Sequence, residues 1–352
     1  MFFGRGVHPE GLQRPLYCSP INNNLPFLTK EPYISGKTMT AMKNLIHNCI
    51  TCHREILVRN REDLRSIVNL LALCSYANGV EIWVDAVMST HIHIILFGEA
   101  SDIKAFDQNL KMRITKYHRG RYHGHGPLFD KGDFSLVLDG PAHILAATSY
   151  VLRNGLHHGI CATPFGYEGC SVNSLFRKEL GKPLPDKLIT NRKDISSFLP
   201  RRAVFPDSFV MDSSGMFLRE SFEELKRVEL YYKAPRSFLY QMNRLSSEEW
   251  ENEQRQDGVT LAPVTLWQME PNPNERIMSS WLANEKGFGY RQDRLTDMAV
   301  CGIIDNDFLP GIKVRSVYEL SASQQYNIAN ELIRNYHLPK DQVCRCLAIL
   351  PE

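Results

Sequence analysis

Apolar and polar positions alternate in several short stretches of the chain, and between those stretches the apolar residues recur every three to four positions. Ile46 to Val58 is β-branched and extended, and reads as a strand. Glu62 to Tyr76 carries Leu64, Ile67, Val68 and Leu71 at helical spacing, and Asn78-Gly79 ends it. Val80 to Met88, with Val80, Ile82, Val84 and Val87, predicts a second strand. His91 to Phe97, rich in isoleucine, predicts a third. The Ser89-Thr90 link between them leaves no room for a crossover, so a hairpin or kink is expected. Ser101 to Tyr117 predicts a second helix with Ser101 as its N-cap, and Asp133 to Leu138 a fourth strand. Asp139-Gly140-Pro141 then opens a helix that stops at Asn154-Gly155.

The order β-α-β-β-α-β followed by a helix is an α+β, ferredoxin-like plan (split βαβ, RRM-like): an antiparallel sheet with helices on one face. RNA-recognition modules share it, so the order alone does not separate a catalyst from a binder. Residues 1–43, rich in Pro, Asn and Gly, read as an N-terminal arm before a 44–175 domain. Beyond 175 the pattern changes, with an accessory, mostly helical or irregular region over 176–320. Phe176 to Arg202 holds eight Lys or Arg against three acids and is broken by Pro183, Pro185 and Pro200. Ser221-Phe222-Glu223-Glu224 has the form of a capping box before a helix. Pro235 marks a break, Arg236 to Trp250 has a helical pattern, and Gln254 to Glu275 is a polar connection. At 321–352, Ser323 to Tyr336, a His337-Leu338-Pro339 breaker and Lys340 to Leu350 give helix, turn, helix. A DNA-binding helix-turn-helix and two antiparallel packing helices both have that spacing.

Length and composition bound the rest. The chain has 352 residues, 43% apolar and 23% charged, which fits globular domains with sizeable cores and excludes a disordered or fibrous chain. Its 41 Lys and Arg against 39 Asp and Glu leave +2, so a diffusely basic coat for nucleic acid is excluded while local patches are not. No run approaches a membrane span, and Arg5, His8, Glu10 and Arg14 interrupt any export signal, so a cytoplasmic protein is expected. Nine scattered cysteines suit reduced thiols. Cys49-Ile50-Thr51-Cys52-His53 has the spacing of a c-type haem attachment, but it lies within an extended run without an export signal, so packed strand cysteines are expected.

The chemistry concentrates in two segments. In Met88-Ser89-Thr90-His91-Ile92-His93 the strand period of two projects His91 and His93 from one face, half of a divalent-metal site. Tyr150 and Asn154 are four apart on a helix and share its face. Each signal has a bland alternative, hydrogen-bonded histidines and a core tyrosine. A third stretch, Lys111 to Gly126, carries Lys111, Arg113, Lys116, Arg119 and Arg121 with no acid, interleaved with Tyr117, Tyr122 and histidines. Cations for phosphates and rings for stacking suit a single strand; a solvated helix end has the same composition.

Together, His-hydrophobe-His on the central strand and Tyr150-Val151-Leu152-Arg153-Asn154 on a later helix resemble the HUH single-strand DNA nucleases. Within these the chain is most similar to the tyrosine transposases of small insertion sequences and the REP-associated tyrosine transposases. The resemblance covers 44–175, where Pro164-Phe165-Gly166-Tyr167 and Ser171-Val172 also resemble a family segment. Ser89-Thr90 stands where the family has Pro-Asn, and Gly155 where it has Pro. The resemblance implies Tyr150 as nucleophile, a 5′-phosphotyrosine intermediate, and Mg²⁺ or Mn²⁺ held by His91, His93 and Asn154. Single-stranded DNA from hairpin-bearing element ends would be the substrate, contacted by Lys111, Arg113, Lys116, Arg119, Arg121 and Arg153. It also implies a nucleoid-associated enzyme, and leaves open whether Tyr150 acts in cis or is exchanged within a homodimer. Two other classes stay open: a non-catalytic, domesticated nucleic-acid-binding regulator, and a phosphodiesterase using a metal-bound water.

Overall fold

The computed structural model describes residues 42–52, 55–129, 133–158, 160–161, 163–243 and 295–349. The arm expected over 1–43 falls almost wholly outside them, as do His53, the connection after Gln254 and the end of the helix expected up to Trp250. Four strands, β1 (Lys43–Thr51), β2 (Glu81–Val87), β3 (His91–Glu99) and β4 (Phe134–Val137), form an antiparallel sheet in the order β2-β3-β1-β4. The crossover helices α1 (Arg61–Asn78) and α2 (Ala100–Tyr122) share one face. There Ile46, Ile50, Ile92, Ile94 and Leu96 meet Leu64, Ile67, Leu71, Phe106 and Leu110. This is the split βαβ plan. Each fully buried side chain of this kind contributes roughly 1.5–3 kcal/mol from removal of apolar surface from water.

Local chemistry fixes the element ends. Asn60 caps α1, accepting from the backbone N–H groups of Glu62 and Asp63, while the Asp63 carboxylate accepts from the backbone N–H of Asn60. Gly79 ends it with φ 63°, a conformation that suits glycine. β1 stops at Thr51 instead of running to Val58, because Leu57 N–H donates out of the sheet to Ser89 O. The cap of α2 is Glu99; the Ser101 hydroxyl reaches Asp102 instead of the helix end.

The helix after β4, α3 (Gly140–Leu152), lies on the opposite face, with Ile144, Ala147 and Val151 in one core with Val84, Ala86 and Ile95. A four-residue helix, α4 (Asn154–His157), follows it. A second small sheet, β5 (Leu188–Ile189) with β6 (Met211–Asp212), flanks α5 (Arg192–Ser197). Around them Ile195, Phe205, Phe209 and Phe217 cluster with Ala72 and Leu73 of α1. The expected capping box at Ser221 does not form: the Ser221 hydroxyl donates to Leu218 O, and α6 (Leu225–Tyr232) begins without a side-chain cap. Pro235 opens α7 (Pro235–Met242) at its first turn, where the missing N–H is harmless. Leu225, Val228, Tyr232, Phe238 and Met242 share the core of α3.

The adjacent Glu223 lies in a buried cluster on the β2 edge. The Arg219 guanidinium donates to both Asp85 oxygens, at 2.7 and 3.0 Å, and Ser171 Oγ lies 3.0 Å from Glu223. Burial works to raise the Asp85 pKa, but the Arg219 charge and hydrogen bonds outweigh it and hold the carboxylate below its ordinary range. Burial and the Asp85 charge push Glu223 well above.

At the C-terminal end, α8 (Asp297–Ile303), a π turn (Ile304–Phe308), α9 (Leu309–Ile312), α10 (Ala322–Asn335) and α11 (Lys340–Cys346) follow one another. They enclose a core with Ile56. Arg59, from the loop after β1, is buried there against Asp305 (2.7 Å) and Cys346 O (2.9 Å). No described helix is long and apolar enough to cross a membrane.

Candidate active site

Strand register builds the site. On β3, His91, His93 and Ile95 point away from α1 and α2, while Ile92, Ile94 and Leu96 point toward them. Pairing of β1 with β3 sets Thr51 opposite His91, Cys49 opposite His93 and His47 opposite Ile95, so His47 stands on the histidine face. α3 covers that face and delivers Tyr150. The phenol ring lies 5.3 Å from the His93 ring, nearly perpendicular at 86°, and 6.1 Å from His47.

α3 ends at Arg153 (φ −95°, ψ 4°), whose N–H is shared between Ser149 O and Tyr150 O. The short α4 then turns back. His157 comes 5.6 Å from the Tyr150 ring and His158 comes 4.9 Å from His91. Gly155 makes the turn fit: a Cβ there would stand 2.6 Å from Cβ of Tyr167, whose hydroxyl donates to Val87 O. Pro at this position would clash in the same way. The cluster is enclosed: His47, His93 and Asn154 are fully buried, His91 nearly so, and Tyr150 is 7% exposed.

The hydrogen bonding of the imidazoles is specific. His47 Nε2 and His93 Nδ1 share a bond of 3.1 Å, and Thr90 Oγ1 lies 3.1 Å from His91 Nδ1. Burial, with the nearby His143, pushes His47 down to about 3; burial and the neighbouring histidines, His91 first, hold His93 well below its ordinary value. Both rings are neutral at pH 7, the state in which imidazole binds a metal.

His93 Nε2 and both side-chain atoms of Asn154 are buried with no hydrogen-bond partner among the described residues. A group left so loses its desolvation energy, about 1–3 kcal/mol, unless something else occupies its lone pair. Among the described residues no group of three or more His, Cys, Asp or Glu is arranged to hold a metal. Imidazoles favour Zn, Cu, Fe or Ni and an amide oxygen favours Mg²⁺ or Mn²⁺, so a mixed set of this kind does not by itself select one cation.

The structure thus brings His91, His93 and Tyr150 together on one face of the sheet, and buries Arg153 and Asn154 at the end of the helix that carries Tyr150. It does not bring the α2 cations there, because α2 lies on the other face of the sheet. Lys111 is held by Asp107 and Asp133, Arg119 by both oxygens of Glu55 at 2.6 Å, and Arg121 by Glu62 at 2.8 Å. Arg113 donates to Asn109 one turn back. Lys116 is exposed and in no ion pair with a described residue. Tyr117 and Tyr122 donate to Asp63 and are not open platforms. Cys52 donates to Leu128 O at 2.9 Å, and Cys49 is fully buried in β1.

Sequence reasoning missed His47, His157 and His158. His47 was legible only through the strand order: a split sheet sets β1 beside β3, and period two then puts His47 on the histidine face. His157 and His158 reach the site through a break at Arg153 that Asn154-Gly155 announced only as a stop.

The fold and site define a class: a split βαβ sheet with a histidine pair on its central strand and a tyrosine from a helix across that face. No family model matches the sequence, and no curated protein matches it. Among solved structures, the chain is similar to a REP-associated tyrosine transposase bound to a REP hairpin, at 13% identity over 42% of this chain and 87% of that one, TM-score 0.33. It is also similar to a Deinococcus radiodurans R1 protein assigned as a transposase, at 19% identity over 31% and 89%, TM-score 0.25.

Proposed function

We propose that this chain is a transposase-type enzyme that cuts and rejoins single-stranded DNA through Tyr150. The observation that carries the reading is the 5.3 Å approach of the Tyr150 ring to His93, on the sheet face that also holds His91; four residues after Tyr150, the Asn154 amide is buried with no hydrogen-bond partner among the described residues.

In this reading the Tyr150 oxygen attacks a backbone phosphorus. The bond to the 3′ oxygen breaks, and the products are a 5′-phosphotyrosine and a strand ending in a 3′-hydroxyl that takes up a proton. A 3′-hydroxyl attacking the phosphotyrosine reverses the exchange, so no nucleotide cofactor is consumed. His91, His93 and the Asn154 oxygen would hold Mg²⁺ or Mn²⁺, which, when bound, neutralises charge on a non-bridging phosphate oxygen. The residues of the chain do the rest. α3 fixes the phenol over the sheet, and neutral histidines avoid competing with the cation for the phosphate. Because Tyr150 is 7% exposed, a strand would need local opening to reach it, and the α4 turn carrying His157 and His158 is the proposed moving part. Hairpin-bearing DNA is the proposed substrate class.

The test is incubation with end-labelled single-stranded DNA and Mn²⁺, followed by a denaturing gel. A covalent adduct that disappears in Tyr150→Phe supports the reading. Cleavage that persists in Tyr150→Phe indicates a hydrolytic phosphodiesterase, and binding without cleavage by the wild-type protein indicates a regulator.

A further inference from the structure

Each of the two strand histidines has its Nδ1 engaged by a neighbour, His91 by the Thr90 hydroxyl and His93 by the His47 ring, both at 3.1 Å. The first partner is local, one residue back in the bend before β3. The second comes from β1, 46 residues earlier, and is an imidazole with no exposed surface. A fully buried histidine needs a reason to be there, since an apolar residue at that position of β1 would pack without desolvation.

One proton lies between His47 Nε2 and His93 Nδ1, and its owner decides what His93 can do. If His93 donates it, Nε2 of His93 carries a lone pair and the hydrogen of His47 sits on its Nδ1, which likewise has no acceptor among the described residues. If His47 donates it, Nε2 of His93 carries a hydrogen, which has no acceptor among the described residues. Only the first arrangement gives a ligand. Imidazoles that bind metals are commonly held in this way, with the remote ring nitrogen donating to a fixed acceptor.

We infer that His47 is a positioning residue for His93: it accepts the Nδ1 hydrogen, fixes the ring orientation and keeps the Nε2 lone pair turned toward the site. Three observations converge on it. The bond is short enough to be real at 3.1 Å. The His47 and His93 rings lie 5.1 Å apart with 37° between their planes. Phe134 meets His47 edge-on at 5.4 Å, packing that holds the ring. Tyr150 completes the enclosure, so His47 touches both proposed functional groups without being a proposed ligand itself.

The inference rests on the metal reading above, and its test keeps the two apart. Nitrogen-15 NMR of the metal-free protein reports the tautomer of His93 directly. Wild type is expected to show the Nδ1-protonated form. His47→Leu, which removes the acceptor, is expected to shift His93 toward the Nε2-protonated form, and His47→Gln, which restores an acceptor oxygen, to shift it back. Mn²⁺ titration followed by electron paramagnetic resonance then reads affinity. Loss of about 10–100-fold in His47→Leu with recovery in His47→Gln is expected, the usual effect of removing such a partner. Far-UV circular dichroism confirms that the variants fold. An unchanged His93 tautomer in His47→Leu overturns the inference, as does wild-type Mn²⁺ affinity in that variant. Absence of Mn²⁺ binding by the wild-type protein, with the tautomer still governed by His47, overturns the metal reading instead.

Discussion

Two buried polar clusters flank the same sheet, one built around a paired charge and the other around neutral groups. On the β2 edge, Arg219 meets both oxygens of Asp85, and Ser171 and Glu223 close the cluster. Beside β3 and under α3, His93 Nε2 and the Asn154 amide are equally buried and are left without partners among the described residues. The first cluster pairs its buried charges within the chain, with Glu223 Oε2 its one atom lacking a hydrogen-bond partner among the described residues, and it serves the fold, tying residues 219–223 to the sheet. The second is complete only with something added. Unsatisfied buried donors and acceptors carry a stability penalty, and chains retain them where a ligand makes use of them.

The sharpest way to break this comparison is to remove one member from each cluster and compare unfolding in urea. Arg219→Met strands two buried carboxyl groups and is expected to cost about 3–5 kcal/mol. Asn154→Leu removes an amide that the described chain leaves unpaired, and is expected to change stability by less than about 1 kcal/mol while abolishing Mn²⁺-dependent cleavage. Comparable losses in the two variants would mean that Asn154 has a structural partner and that the contrast is false.

A second expectation concerns pH. The His47 pKa is about 3 in the fold against about 6.5 unfolded, so the folded state binds fewer protons between those values. Metal-free protein is therefore expected to lose stability as pH falls from about 6.5 toward 3, at roughly 1.4 kcal/mol per pH unit for this one group, with no contribution from it above that window. Urea titrations of wild type and His47→Gln measure the difference, and equal slopes would contradict it.

The smallest expected effect is on the α2 face. Lys116→Ala is expected to lower the slope of log affinity for single-stranded DNA against log salt by at most about 0.7, the value of one phosphate contact. Arg119→Ala, which breaks the paired contact with Glu55, is expected to act on stability and leave that slope unchanged. Fluorescence anisotropy at several salt concentrations checks both.

That last pair shows where sequence reading stops. Period-two and helical spacing were enough to place all four strands of the main sheet and the three helices through 152, because each element buries one face and writes its period into the chain. His91 with His93, and Tyr150 with Asn154, were legible for the same reason: residues on one element share a face by geometry alone. Pairing between elements was not legible. Arg119 looks like an open cation within Lys111 to Gly126, yet its partner Glu55 is 64 residues away. Ser221 and Glu224 had the form of a capping box, yet the helix begins without a side-chain cap, and the neighbouring Glu223 is held at the β2 edge by Ser171, 52 residues earlier. His47 belonged to the site only once β1 lay beside β3. Local periodicity is set by near neighbours; the identity of a polar partner is set by topology.

The most direct measurement is mass spectrometry of the peptide containing residue 150 after reaction with single-stranded DNA and Mn²⁺ and digestion of the DNA. A nucleotide attached through phosphate to the Tyr150 oxygen, absent in His93→Ala, is the result this account predicts. An unmodified Tyr150 in protein that has cleaved its DNA, or an adduct on another residue, would contradict it.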